Sequence, residues 1–394
     1  MDVAQRVTRI PPYPFREIAA LKAKALQAGQ DLIDFGIGDP DQPTPTHIID
    51  AFAEEIRNPE WHRYDETGFG DRELRAAISR FAKRRFGIEV DPESEIQVAT
   101  GSKDSLALIN WAFVDPGDVV LVPDPAYSVY RVNAIFCAGT PFPMPLLADN
   151  GFLPDLSAIP PTVAKAAKVM FLNYPNNPTG AVAEVDFFQE VACFAREYGI
   201  VVAHDAAYAQ VAYDGYEPPS LLQVEGAKEL CIEFHSFSKT YNMTGWRLGW
   251  SWGGAEIVGA LSRLKSNVDN GVFLALQRAG VAGLTESQKC VAELCAMYQR
   301  RRNLLVDGLH SLGCSVAKPK ATFYVWAPIP KGYDSEGFAR ALLVECGVLV
   351  VPGAVYGDHG EGYVRFALTI VADDAEARIV EAIERMRDNL ELEW

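Results

Sequence analysis

No stretch of this chain approaches the roughly 18 consecutive apolar residues that a bilayer-crossing helix needs, so a membrane span is not expected. The opening MDVAQRVTRIPPYPF holds no apolar core of the kind a secretory leader uses, and a cytoplasmic protein is expected. Basic charge is scarce. Lys and Arg number 36 against 52 Asp and Glu, a formal net charge of −16, and no basic run offsets it. Such a surface repels phosphate backbones, so nucleic acid is not expected among the partners. The seven cysteines (Cys137, Cys193, Cys231, Cys290, Cys295, Cys314 and Cys346) are odd in number and form no CxxC pair. Neither a zinc site nor a disulfide framework is signalled, and small buried thiols in a reducing compartment are expected. The histidines at 47, 62, 204, 235, 310 and 359 also lack metal-ligand spacing, so no metal is expected. Internal repeats, low-complexity tracts and long polar linkers are missing too.

What remains is the balance of an ordinary folded globular protein of 394 residues, 49% hydrophobic and 22% charged. That length suits about two to three domains, or one large and one small. Residues 15–28 carry apolar positions near a helical period, and 32–35 read as a short strand running into GIGDPDQPTP. Further strands are expected at 96–99, 119–122, 169–172, 200–203 and 230–234, with helices at 72–86, 102–113 and 185–198 between them. This alternation predicts an α/β fold with a largely parallel sheet wrapped by helices. From Thr285 the texture changes: Thr285 and Gln288 resemble a capping box opening a helix to about 312. Strands at 323–327, 348–351 and 363–368 and a closing helix at 373–390 then describe a smaller α+β unit. A cleft is expected between the two units.

Four clusters carry chemistry. The sharpest is SFSKTYNMTGWR, residues 236–247. Hydroxyls and Arg247 suit an anionic phosphate, and a buried Lys239 loses its proton readily and can condense with an aldehyde. NYPNNPTG (173–180) makes a tight turn after a strand, where α/β proteins bind ligands. HDAAY (204–208) follows another strand; Asp205 there could pair with a ring N–H, and Tyr208 could reach a phenolate oxygen. Thr100-Gly101-Ser102-Lys103 lies between a strand and a helix, where free backbone N–H groups cradle phosphate. A solvated lysine, an ordinary turn, a capping aspartate and a plain Gly-Ser loop are the respective bland alternatives.

In this order and spacing the clusters closely resemble the pyridoxal-phosphate enzymes of the aspartate-aminotransferase superfamily, fold type I, over about residues 10–387. Within it, GIGDPDQPTP, PGDVVLVPDPAY, NGFLPDL, NYPNNPTGAV, HDAAY, FHSFSKTYNMTGWRLGW, KPKATFYVWAP and GYVRFALT are most similar to the bacterial LL-diaminopimelate aminotransferases. The resemblance implies an N-terminal arm and part of the small domain at 1–47, a large cofactor-binding domain at 48–288 and a C-terminal small domain at 289–394. It implies pyridoxal 5′-phosphate as cofactor, with Lys239 binding it covalently and shuttling the substrate α-proton. Asp205 matches the carboxylate that keeps the pyridine nitrogen protonated, and Tyr208 with Asn177 the pair at the 3′-oxygen. Tyr127 matches the aromatic stacked on the ring, and Gly101, Ser102, Lys103, Ser236 and Arg247 the phosphate cup. Tyr64 matches a residue reaching the neighbouring subunit's phosphate, which implies a homodimer; Arg365, Asn177 and Gly38 match the grip on the α-carboxylate. The bonds Asp124–Pro125 and Asn177–Pro178 are expected to be cis on the same ground.

The chain departs from the subgroup at HRYDETGFG (62–70), GSKDS (101–105) and DPAYSVY (124–130), stretches that approach the substrate. Asp65 and Glu66 could meet a distal ammonium there, or form a solvated loop. The expected activity is ping-pong transamination between an amino acid and 2-oxoglutarate, with LL-diaminopimelate giving tetrahydrodipicolinate in lysine biosynthesis. The alternatives are transamination of alanine, aspartate, glutamate or an aromatic amino acid, or a β-lyase on the same lysine. A ligand-sensing regulator of this fold would carry a fused DNA-binding domain, for which the chain has neither the extra length nor the positive charge.

Overall fold

The helix Phe15–Gln27 leads into a two-residue strand, β1 (Ile33–Asp34), which pairs in parallel with a strand more than three hundred residues downstream. The structure, a computed structural model, describes residues 2–11, 15–65 and 67–394. Between those distant partners runs the main sheet. Its strands are β2 (Ile96–Ala99), β3 (Val119–Asp124), β4 (Thr140–Pro145), β5 (Ala167–Asn173), β6 (Val201–Asp205), β7 (Cys231–Ser236) and β8 (Gly249–Gly253). Their spatial order is β2-β8-β7-β6-β5-β3-β4. Only β8 runs against its neighbours; every other pairing is parallel.

Both faces of the sheet are covered, and period-two alternation divides the side chains between them. Met170 and Leu172 of β5 pack with Phe188 and Val191 of helix Val185–Tyr198 and with Leu74 and Ile78 of helix Arg72–Phe86. Val169 and Phe171 face the other way, onto Leu106 and Ile109 of helix Ser102–Phe113 and Leu261 of helix Ala255–Val268. The three helices expected at 72–86, 102–113 and 185–198 form at those bounds.

Two strands were not expected. β4 reads TPFPMP, and proline removes ladder donors; it survives because it is an edge strand bonded to β3 alone. β8 reads GWSWG, too glycine-rich for a propensity signal, yet its two tryptophans are buried.

The C-terminal region adds β9 (Tyr324–Pro328), β10 (Val348–Leu349), β11 (Val351–Pro352) and β12 (Tyr363–Ala367). β11-β12-β9 form an antiparallel sheet, while β10 pairs with β1. The single strand expected at 348–351 therefore changes partner at Val350. The expected capping box is also corrected. Thr285 ends the helix Leu274–Thr285, its hydroxyl bonded to the Val281 carbonyl, and the next helix runs Lys289–Ser311. Gln288 makes no side-chain cap; its amide bonds the Gly283 and Glu286 carbonyls and its oxygen accepts from Tyr241.

Asp124–Pro125 and Asn177–Pro178 are cis, as expected, and so is Tyr174–Pro175. All seven cysteines are free thiols; Cys231, Cys314 and Cys346 are buried, but Cys193 is exposed. No helix among the described residues is long and apolar enough to cross a membrane.

Candidate active site

Parallel strands β3, β5 and β6, with β7 beside them, end at Asp124, Asn173, Asp205 and Ser236. Ligands of open α/β sheets gather at such carboxyl ends. A cavity of about 600 Å³ opens there, and Asp205, Asn173, Ser236 and Lys239 all line it.

Lys239 lies in the one-turn helix Phe237–Thr240 directly after β7, whose last residue, Ser236, accepts from the Ser238 N–H. Its Nζ donates to the Gly38 carbonyl at 3.0 Å. Burial brings its ammonium down from 10.5 to about 8; Arg365 and Arg247 push the same way, against the pull of Asp39 and Asp205. An amine in that range is a competent nucleophile and base near neutrality.

Asp205 closes β6 and is buried. Its Oδ2 accepts from the Tyr130 hydroxyl at 2.8 Å and its Oδ1 from the Ala207 N–H at 3.2 Å. Burial raises its carboxyl above the ordinary range, opposed by those two bonds and by the charges of His204 and Lys239.

A second group holds Arg365. Its Nη1 donates to Asn177 Oδ1 at 2.9 Å and its Nη2 to the Gly36 carbonyl at 2.8 Å. The guanidinium lies 4.2 Å from the Tyr324 ring centre and 5.1 Å from that of Tyr356. Tyr208 hydrogen-bonds Tyr324 hydroxyl to hydroxyl at 3.0 Å, and burial lifts its phenol well above the ordinary value.

The third group is an anion cradle. Helix Ser102–Phe113 opens at Gly101, in the left-handed region at φ 74°, with no side chain capping its first N–H groups. A Cβ at Gly101 would collide with the Arg247 guanidinium, so glycine is what lets these meet. Ser102, Ser236, Ser238, Thr244 and Arg247 share this part of the cavity wall. Lys103 and Tyr127 line it as well, the Lys103 Nζ 5.8 Å from the Tyr127 ring centre. Burial, with Arg247 adding to it, lowers the Lys103 pKa.

Of the residues that the resemblance assigns to the site, all but Gly101 and Tyr64 line this cavity. Gly101 adjoins it through Arg247. Tyr64 stands apart, 76% exposed and outside the lining. Asp65 is occupied within its own loop, accepting from the Thr67 N–H and hydroxyl and from the Gly70 N–H. Glu66 lies outside the described residues. Sequence reasoning missed Tyr130 and Tyr324, and had Ser238 and Thr244 only among the hydroxyls of the 236–247 cluster. Ser238 sits inside the SFSK motif and Tyr130 one helical turn beyond Tyr127, so both had a local signal; Tyr324 had none. Among the described residues, no group of three or more His, Cys, Asp or Glu is arranged to hold a metal.

A buried carboxylate, an amine of lowered pKa and an anion cradle at the carboxyl ends of a seven-stranded, mostly parallel sheet define the fold type I transferases. Residues 30–384 match the family described as aminotransferase class I and II. The chain is 53% identical over 387 residues to the LL-diaminopimelate aminotransferase of Moorella thermoacetica, covering 98% of each. It is 54% identical over 384 residues to that of Desulforudis audaxviator, covering 98% of this chain and 97% of the relative. Substrate-bound BacF from Bacillus subtilis superposes with a TM-score of 0.92 at 36% identity, covering 98% of each chain. The chain thus belongs to the class I and II aminotransferases, a family that works with pyridoxal 5′-phosphate and exchanges amino and oxo acids.

The residues present fit such a group. The cradle of hydroxyls and Arg247 could take a phosphate, Lys239 could offer an amine to an aldehyde, and Asp205 is a buried carboxylate that a ring nitrogen could meet.

Proposed function

We propose that the protein transaminates LL-2,6-diaminopimelate with 2-oxoglutarate by a ping-pong cycle, giving tetrahydrodipicolinate and glutamate in lysine biosynthesis. The observation that carries the donor is end-to-end identity of just over half to enzymes of that name. Fold alone does not fix a donor.

Pyridoxal 5′-phosphate, when bound, supplies an aldehyde for amine exchange and an electron-withdrawing ring. Lys239 would hold it covalently; Gly101, Ser102, Lys103, Ser236 and Arg247 would hold its phosphate, with Ser238 and Thr244 beside them. Asp205, its carboxylate steadied by the Tyr130 hydroxyl, would keep a proton on the ring nitrogen. Tyr127, Tyr208 and Asn177, which line the same cavity, would hold the ring and its 3′-oxygen. Arg365 and Asn177, with the backbone near Gly38, grip the substrate α-carboxylate. Where its Nζ is not bonded to the group, Lys239 would move the substrate α-proton, as a base whose pKa of about 8 leaves part of it neutral at physiological pH.

The working unit in this reading is a cytoplasmic homodimer in which Tyr64 acts across the interface; its high exposure within one chain supports that role. The large domain spans 48–288, supported by Ile48 and Leu284 packing in the same core as the main sheet. The flanking 1–47 and 289–394 share the core that joins Phe35 to Leu294.

A panel of amino donors against 2-oxoglutarate tests the donor. LL-diaminopimelate is expected to give a higher kcat/KM than alanine, aspartate, glutamate or aromatic donors. A monocarboxylic or aromatic donor ahead by about tenfold, some 1.4 kcal/mol of transition-state binding, overturns it.

A further inference from the structure

The wall of the cavity is unusually cationic for a chain of net charge −16. Among the described residues, Lys22, Lys103, Lys239, Arg247 and Arg365 line it, against Asp205 as the one lining carboxylate. Four of those five cations have work in the reading above. Lys22 has none. It projects from helix Phe15–Gln27 on the same face as Ile18 and Ala19, which also line the cavity. Ile18 anchors that face in an apolar cluster with Trp326 and Leu349.

Lys22 is aimed by an ion pair. Its Nζ lies 2.6 Å from Asp34 Oδ2, with the lysine side chain 34% exposed and the aspartate 20%. Asp34 Oδ1 accepts from the Gly36 N–H at 2.7 Å. The short segment from Asp34 to Gly38 therefore acts as a ruler for the site. Asp34 holds Lys22, the Gly36 carbonyl holds Arg365, and the Gly38 carbonyl holds Lys239. Lys22 and Lys239 line the same cavity, so a long substrate held at the reacting amine extends along the wall that Lys22 shares.

A donor with two amino-acid heads has a second carboxylate that must leave water, and leaving it unpaired is costly. Asp65 is occupied by its own loop. We propose that Lys22, held on the cavity wall by Asp34, is a specificity residue that receives the distal carboxylate of a long dicarboxylic donor. A zwitterionic distal head suits this pair, because its ammonium can approach Asp34 as its carboxylate takes Lys22, and no lone charge is left. The inference rests on the proposed donor class for its substrate, but not for its test.

Holoenzyme carrying Lys22→Met is compared with wild type and with Lys22→Arg. Losing a charge-assisted hydrogen bond predicts a KM for LL-diaminopimelate raised about tenfold or more, with kcat little changed. The constants for alanine stay the same, and Lys22→Arg recovers most of the loss. Equal loss for both donors, or an unchanged KM for LL-diaminopimelate, overturns the assignment. Binding of pimelate against hexanoate, measured by calorimetry, separates the two proposals. If wild type does not use LL-diaminopimelate but Lys22→Met abolishes its preference for pimelate, the donor reading fails and the role of Lys22 stands. A preference for pimelate that persists in Lys22→Met overturns the role of Lys22, whatever the donor.

Discussion

Lys239 is where burial becomes chemistry. An ammonium that costs desolvation in the folded protein gives up its proton more readily, and the site turns that cost into reactivity. Lys239→Ala should keep the fold and lower turnover by about 10³-fold or more, since nucleophile and base vanish together; steady-state assays with a circular-dichroism control check it. In the cofactor-free protein, labelling of Lys239 by an amine-reactive reagent should rise with a midpoint near pH 8 rather than 10.5. The linkage has a definite sign. Between those two values the unfolded chain binds more protons at this position, so its contribution to stability becomes more favourable as pH rises through that window. Asp205→Asn should fold normally, because an amide oxygen can still accept from Tyr130, yet lose about 10²-fold or more in turnover. Wild-type kinetics in that variant would remove Asp205 from the mechanism.

At the scale of elements, a buried polar knot ties four segments beneath the site. Glu233, on β7 and fully buried, lies 2.8 Å from His204 Nδ1 on β6. It also accepts from the Ser220 hydroxyl, the Leu221 N–H and the Trp252 indole. Burial alone would raise its carboxyl, but the bond to His204 and the nearby His235 ring, 3.5 Å away, hold it well below the ordinary range. On its far side His204 meets the Tyr174 backbone, the start of the turn that carries Asn177. Glu233→Ala should therefore destabilise the fold by about 3–5 kcal/mol, as breaking a buried pair does, and denaturant titration measures it. None of this was legible in the sequence, where Glu233 is one acid in an apolar run. Asp205 and Lys239 were legible because each lies inside a short motif, Asp205 closing β6 and Lys239 three residues past the end of β7, whereas Lys22, Tyr324 and Glu233 acquire partners only when separate segments meet. The helices with a strong apolar period emerged at their expected bounds, but β4 and β8 hid behind proline and glycine, whose propensities the finished sheet overrides.

For the whole molecule, the proposed assembly makes a sharp demand on Tyr64, which is exposed on one chain yet assigned to a cofactor. Sedimentation should find a dimer, and Tyr64→Phe should keep that mass while weakening cofactor affinity by about tenfold, the loss of one hydrogen bond to a charged group. A monomer with full activity would contradict it.

The proline-rich edge strand bears on what such a protein must avoid at high concentration. In β4, Pro141, Pro143 and Pro145 alternate with Thr140, Phe142 and Met144. The Thr140 N–H, and that of Leu146 just beyond the strand, turn inward to the neighbouring strand. The outward-facing positions are thus the prolines, which have no N–H to offer. A strand from another copy would find carbonyls but no donors there, so the sheet cannot be extended from that side into an intermolecular ladder. The composition that concealed this strand from propensity arguments is also what guards the fold against fibrillar association.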